Sequence, residues 1–218
     1  MRPLIIIGAG GLGSQLVERV ISDPANGRHW LLKGVFDDRQ EKSHALADMS
    51  TAYNFPLTHY TDIEELPIDE GACFLLGVGD PSFKEKYARQ IEHSGGYFVS
   101  LLNVDNERSE ASNVGESVLM KNCCIGPGTS VADYVWIDRN TIIGHGCSIG
   151  EFCHIGPNVT IGGDVTVGAK TTIHSGSLIG NGVTIGDGCV IGLGSVVVRN
   201  LSDSSVVLGN PARKVADV

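Results

Sequence analysis

An aliphatic residue stands at every sixth position along one stretch of the chain: Ile125, Val131, Ile137, Ile143, Ile149, Ile155, Ile161, Val167, Ile173, Ile179, Ile185, Ile191 and Val197. With the first twelve as register starts, nine are followed directly by Gly, and in all twelve the fifth residue is small, β-branched or Cys. A period of six matches neither an amphipathic helix (3.6) nor an alternating strand (2.0). It is the hexapeptide signature of a parallel β-helix, in which every coil hydrogen-bonds to the next. Eighteen residues make one triangular coil, so residues 18 apart stack about 4.8 Å apart, the spacing of paired strands. The register runs without insertion for about four coils.

The N-terminal part carries a different pattern. Pro3 to Gly8 reads as a buried strand that runs into Gly8-Ala9-Gly10-Gly11-Leu12-Gly13, with Ser14 to Ile21 continuing as a helix. Gly8, Gly10 and Gly13 have the G-x-G-x-x-G spacing, which lets backbone N–H groups approach a phosphate at a helix N-terminus. A tight strand–helix turn with no ligand has the same spelling. A second strand, Leu31 to Phe36, ends in Asp37-Asp38, where carboxylates can accept hydrogen bonds from a ribose or a base. A third strand, Ala72 to Val78, leads through Gly79-Asp80-Pro81 into a helix over 82–93, with Phe83, Tyr87 and Ile91 on one face and Lys84, Lys86 and Arg89 more exposed. Tyr97 to Leu102 reads as a further strand. Alternating strands and helices imply a small parallel sheet whose ligand crevice lies beyond the strand carboxyl ends, where Gly10, Asp37 and Gly79 sit. With no second mononucleotide-binding half, a single nucleotide suits it better than a dinucleotide.

The fold class is therefore α/β plus all-β: a small Rossmann-like domain over 1–102, a polar bridging segment over 103–118, a β-helix over 119–200 and a tail over 201–218. The 29 Gly residues concentrate in the repeats, as strand–turn coils require. A net charge of −9 argues against nucleic acid or an anionic membrane as partner. No apolar run approaches the roughly 20 residues of a membrane span, and Met1 leads directly into a strand without a signal-peptide pattern, so a cytoplasmic location is expected. Of the six cysteines, Cys123, Cys147, Cys153 and Cys189 fall at the fifth hexapeptide position, the place of a small inward residue, and read as packed thiols. Cys73 lies in an apolar run and reads as core, and Cys124 has no assigned structural role.

These features together resemble the bacterial sugar O- and N-acyltransferases of the hexapeptide superfamily, among them sialic acid O-acetyltransferases and N-acetyltransferases of nucleotide-activated 4-amino sugars. The likeness rests on Ile6-Ile7-Gly8-Ala9-Gly10-Gly11, Phe36-Asp37-Asp38, Gly77-Val78-Gly79, His145 to Phe152, Gly162-Gly163-Asp164-Val165 and Gly209-Asn210-Pro211-Ala212-Arg213. It implies a left-handed β-helix, a homotrimer with active sites between subunits, acetyl-CoA as acyl donor, no metal, and a nucleotide-sugar substrate in bacterial surface-glycan biosynthesis. It also implies His145 as general base, since imidazole titrates near neutrality and a thioester needs no covalent intermediate.

In the family the residue after this His is usually acidic; here it is Gly146. Asp164 lies 18 residues on, in the same column one coil along, and is expected to take over the missing carboxylate. For acetyl-CoA the resemblance points to His154, Ser175, Leu193 and Arg213, the last beside Lys214 and suited to the 3′-phosphate. Leu193 stands where Gly is usual. For the sugar nucleotide it points to Gly10, Gly11, Leu12, Asp37, Asp38 and Gly79. Leu12 and Asn103 stand where many members carry His. His174 replaces the usual second-position Gly, a position expected to favour left-handed backbone. Alternatives are hydroxyl rather than amine acylation, a zinc enzyme built on His145, His154 and His174, a dehydrogenase, and a non-catalytic solenoid.

Overall fold

The computed structural model describes residues 1–39, 50–51, 54–102 and 105–218. The chain forms two compact units, Met1–Val99 and Ser100–Val218. In the first, β1 (Arg2–Ile7) is central, and its apolar run is wholly buried from Leu4 to Ile7, as a parallel strand covered on both faces requires. Around it are α1 (Gly11–Ile21), β2 (Trp30–Phe36), β3 (Thr58–Tyr60), β4 (Cys73–Leu76), α2 (Pro81–His93) and β5 (Tyr97–Phe98). The sheet order is β3-β2-β1-β4-β5, all parallel. Strand β3 carries no apolar signal in the sequence.

Helix α2 departs from its expected face. Asp80 caps it by accepting from the N–H groups of Ser82 and Phe83, and its buried stripe is Lys84, Tyr87, Ala88 and Ile91. That i, i+3, i+4, i+7 set keeps the expected Tyr87 and Ile91 and has Lys84 and Ala88 in place of Phe83. Lys84 is accordingly buried, and Phe83 stands 52% exposed at the helix start.

The second unit is a left-handed parallel β-helix whose strands stack in three parallel sheets. From Val118 to Val197 the register is 18 residues, as in Ser130↔Ser148, Val131↔Ile149 and Ile155↔Ile173; the first coil pairs at 17, as in Cys124↔Glu107, and the last at 16, as in Val190↔Val206. The six-residue aliphatics form one continuous core with Cys123, Cys147, Cys153 and Cys189. The fifth position also has a polar task. Thr129, Thr141, Cys147, Cys153, Thr171 and Ser177 donate to the second-position carbonyls of Gly144, Gly156, Gly162, Gly168, Gly186 and Gly192. Ser, Thr and Cys are interchangeable here because each is small and carries a donor.

The left-handed backbone falls at the fourth position of each hexapeptide, for example at Asn140, Gly146, Asn158 and Asp164, and not at the second. His174 is therefore not in the conformation expected of it. Second-position glycines answer close stacking instead: a Cβ on Gly144 would lie 2.8 Å from the carbonyl carbon of Gly162.

The solenoid is longer than its periodicity suggests. Tyr97 to Leu102 is two short strands: β5 completes the first sheet, whereas Leu101–Leu102 pairs with Val118–Leu119. Glu107–Arg108 and Asn113–Val114 pair with the next coil, so the described part of the bridging segment is itself a coil whose charged and polar side chains hide the repeat. At the other end Leu201 bridges to Ile185, and Ser205–Leu208 pairs with Val190–Ile191 before a final hairpin with Arg213–Asp217. The expected tail thus continues the fold. No helix among the described residues is long and apolar enough to cross a membrane.

Candidate active site

In the first unit, Gly10, Gly11, Leu12, Asp37, Asp38 and Gly79 all line one cavity of about 670 Å³ at the carboxyl ends of β1, β2 and β4. The fingerprint glycines divide the work. Gly8 has φ +102° and abuts Val78, and a Cβ on Gly13 would lie 1.8 Å from the Gly8 carbonyl oxygen; both serve strand–helix packing. Gly10, the N-cap of α1, makes no side-chain cap, and a Cβ there or at Gly11 would meet only open space. The first-turn N–H groups of α1 therefore face an approachable crevice with the positive end of the helix dipole behind them.

Asp37 is buried and receives four hydrogen bonds: the Ala9 N–H at 2.8 Å, the Arg39 N–H at 3.1 Å, and the Arg39 side chain through Nε and Nη2 at 2.8 Å each. Four donors fill the acceptor capacity of a carboxylate. Burial alone would push its pKa up, but the bonds from Arg39 and Ala9 and the guanidinium charge outweigh this and hold it below the ordinary value. In this structure Asp37 holds the glycine turn and Arg39, rather than presenting acceptors to the crevice. Arg39, its side chain 54% exposed, lines the cavity instead.

Asp38 accepts from the Tyr87 hydroxyl at 2.9 Å, and burial followed by that bond pushes the phenol up to about 12. Tyr87 lies edge-on to Phe36 and stacks with Phe83 at 6.4 Å, giving the cavity an aromatic wall. Arg39, Phe83 and Tyr87 were not singled out from the sequence. The i, i+4 aromatic pair directly after Gly79-Asp80-Pro81 was the available signal.

In the second unit, His145 occupies the third position of its hexapeptide, on the edge between two sheets. Its Nδ1 lies 3.6 Å from Oδ1 of Asp164, too long for a hydrogen bond but within ion-pair reach. The column containing Asp164 otherwise holds Gly128, Gly146 and Gly182, and Asp164 adopts φ +57°, which Asp tolerates. A Cβ on Gly146 would come 2.3 Å from Asp164 Oδ1, so the carboxylate occupies the volume that a side chain at 146 would need. Asp164 thus stands beside His145, one coil along.

The residues expected to hold acetyl-CoA lie elsewhere on the coil. His154 is half-buried on the next sheet, stacked on Trp136 at 6.3 Å. Ser175 and Leu193 share a column on a different edge, Leu193 being 67% exposed, and Arg213 is exposed in the final hairpin. One chain does not bring them to His145. His145 stands on another edge from His154 and His174, which belong to adjacent coils of one sheet, and no group of three or more His, Cys, Asp or Glu among the described residues could hold a metal. Asn103 lies outside the described residues.

Residues 128–163 and 146–181 match the family model described as bacterial transferase hexapeptide (six repeats). No curated protein matches the chain in sequence. Among solved structures, PerB from Caulobacter crescentus, in complex with CoA and GDP-perosamine, is 26% identical over 99% of this chain and 98% of its own, with a TM-score of 0.83. A histidine-to-alanine variant of GDP-perosamine N-acetyl transferase from the same organism, with the same two ligands, is 26% identical over 100% and 98% at TM-score 0.83. The acetyltransferase domain of PglB from Neisseria gonorrhoeae, with acetyl coenzyme A, shares the fold at 23% identity over 98% and 99%, TM-score 0.82.

Proposed function

We propose that this chain, a hexapeptide-repeat sugar acetyltransferase, moves an acetyl group from acetyl-CoA to the amine of a nucleotide-activated amino sugar, with His145 as general base. Acetyl-CoA-dependent sugar acetylation follows from whole-length likeness to N-acetyl transferases solved with CoA and GDP-perosamine. The observation that carries the mechanism is the imidazole–carboxylate pair of His145 and Asp164 on an exposed solenoid edge. The acceptor amine attacks the thioester carbonyl, the C–S bond breaks, the amine proton passes to Nε2 of His145, and the CoA thiolate takes up a proton. Asp164, on the Nδ1 side, favours the imidazolium that forms. A hydroxyl acceptor would follow the same path.

The substrate's diphosphate fits the α1 N-terminus at Gly10 and Gly11. The far wall, from the β2 end to the α2 cap, carries Asp37, Asp38 and Asp80 against the one lining guanidinium, which disfavours phosphate and suits a neutral nucleoside. Its base can lie along the half-exposed Phe83 ring, with Asp38 accepting and Arg39 donating. Leu12 and Gly79 close the same crevice. His154, Ser175, Leu193 and Arg213 bind acetyl-CoA. Since these stand apart from His145 on one chain, a working site needs a neighbouring copy.

A homotrimer supplies that copy. An outward column one strand before the His145 turn carries Ile142, Thr160 and Leu178, with Ile142 48% and Leu178 46% exposed, a suitable face for it. Acetyl-CoA as donor places the reaction in the cytoplasm, as a step in surface-glycan synthesis. The test is CoA release with GDP- and UDP-linked 4-amino sugars. His145→Ala should lower kcat by about 10²-fold or more; undiminished turnover would overturn the assignment.

A further inference from the structure

We infer that Gly163 is a positioning residue for His145: its missing side chain is the seat on which the imidazole lies. The inference rests on His145 being the base. A Cβ at Gly163 would stand 2.5 Å from Nε2, 2.6 Å from Cε1 and 3.1 Å from Cδ2 of His145, so one edge of the ring lies directly over the Gly163 Cα. Contacts under 3 Å are not tolerated, and the atom met first is the nitrogen that takes the proton. The opposite ring nitrogen faces Asp164. The imidazole is thus held between the Gly163 backbone beneath it and the Asp164 carboxylate beside it, although it is 64% exposed.

Glycine is not required at 163 by the backbone. From residue 127 to 193 every other third position carries a side chain: Pro127, Asp133, Arg139, His145, Glu151, Pro157, Ala169, Ser175, Asn181, Asp187 and Leu193. Gly163 is absent from the residues with left-handed φ, so alanine fits its conformation. Nor can the seat give way easily. The Gly163 N–H donates to Asn181 Oδ1 at 3.1 Å, and its carbonyl accepts from Gly182 at 2.9 Å, which pins this turn to the next coil. A methyl group at 163 therefore displaces the ring, and a displaced ring loses its alignment between Asp164 and the acceptor.

The experiment is a double-mutant cycle with Gly163→Ala and His145→Ala in the full-length protein. Gly163→Ala should leave the thermal midpoint unchanged, lower kcat at least tenfold and leave KM for both substrates within twofold. In the His145→Ala background it should have no further effect. An undiminished kcat, or a raised KM for acetyl-CoA with kcat kept, would overturn the seat, the latter because the methyl would then be meeting the donor. An equal loss in both backgrounds would overturn it too. If His145→Ala alone keeps full turnover, the general-base reading fails instead. Independently of turnover, the His145 ring Cε1–H resonance should shift in Gly163→Ala; an unmoved resonance refutes the displacement.

Discussion

At His145 the acid arrives from the next coil rather than from the next residue, and two glycines make this possible. Gly146 leaves the volume that the Asp164 carboxylate occupies, and Gly163 leaves the surface on which the ring rests. The pair is solvent-exposed on both sides, so its contribution is bounded by screening. Asp164→Asn should lower kcat about fivefold, the rate equivalent of the ~1 kcal/mol upper range for an exposed ion pair, with both KM values unchanged in steady-state assays. A 100-fold loss would mean that Asp164 touches substrate. The pairing was legible beforehand because an unbroken six-residue period makes 146 and 164 neighbours by counting. The saturation of Asp37 was not legible: the spelling Asp37-Asp38 gives no hint that Arg39 folds back onto the first carboxylate and takes the ligand-facing place.

Among the elements, most strands and coils with apolar signatures were read correctly, although Tyr97 to Leu102 proved to be two strands and Ser205–Leu208 continues the solenoid; those without an apolar signature were missed. Strand β3 and the coil through Glu107 and Asn113 are held by backbone pairing to neighbours already in place, so they need no hydrophobic pattern of their own. On helix α2 the expected Tyr87 and Ile91 are buried, but at its first turn Lys84 takes the buried place expected of Phe83. The fifth hexapeptide position sets a pH limit on the solenoid. Burial pushes the Cys123 thiol from near 9 up to about 11, and raises Cys147 and Cys189 as well. The folded state holds these protons more tightly than the unfolded one. The stabilisation is therefore complete below about pH 9 and is lost as pH rises through 11. Urea midpoints should fall between pH 9 and 11, with thiolate absorbance near 240 nm appearing together with unfolding and not before it.

For the molecule as a whole, the proposed reading assigns the acceptor nucleotide to the first unit and the base to the second. The residues proposed to bind the donor stand apart from His145 on a single chain, so activity and assembly should fail together. Ile142→Lys places a charge at an exposed apolar position of the outward column without touching the core. Sedimentation should show a smaller species than the parent, circular dichroism should be unchanged, and turnover should fall at least tenfold. A variant that dissociates yet keeps full turnover would show that one chain suffices.

The 18-residue stacking gives each side chain on an edge two equivalent addresses, one step along the chain or one storey up the column. A role can be handed between them by point substitutions alone, with no loop rebuilt and no strand moved. In the reading proposed for this chain, the acid beside the base has changed storey. Motifs spelled only along the sequence will therefore undercount active members of such architectures. A vertical spelling, His145 with Asp164 above a vacated 146, reads the same chemistry in a second direction.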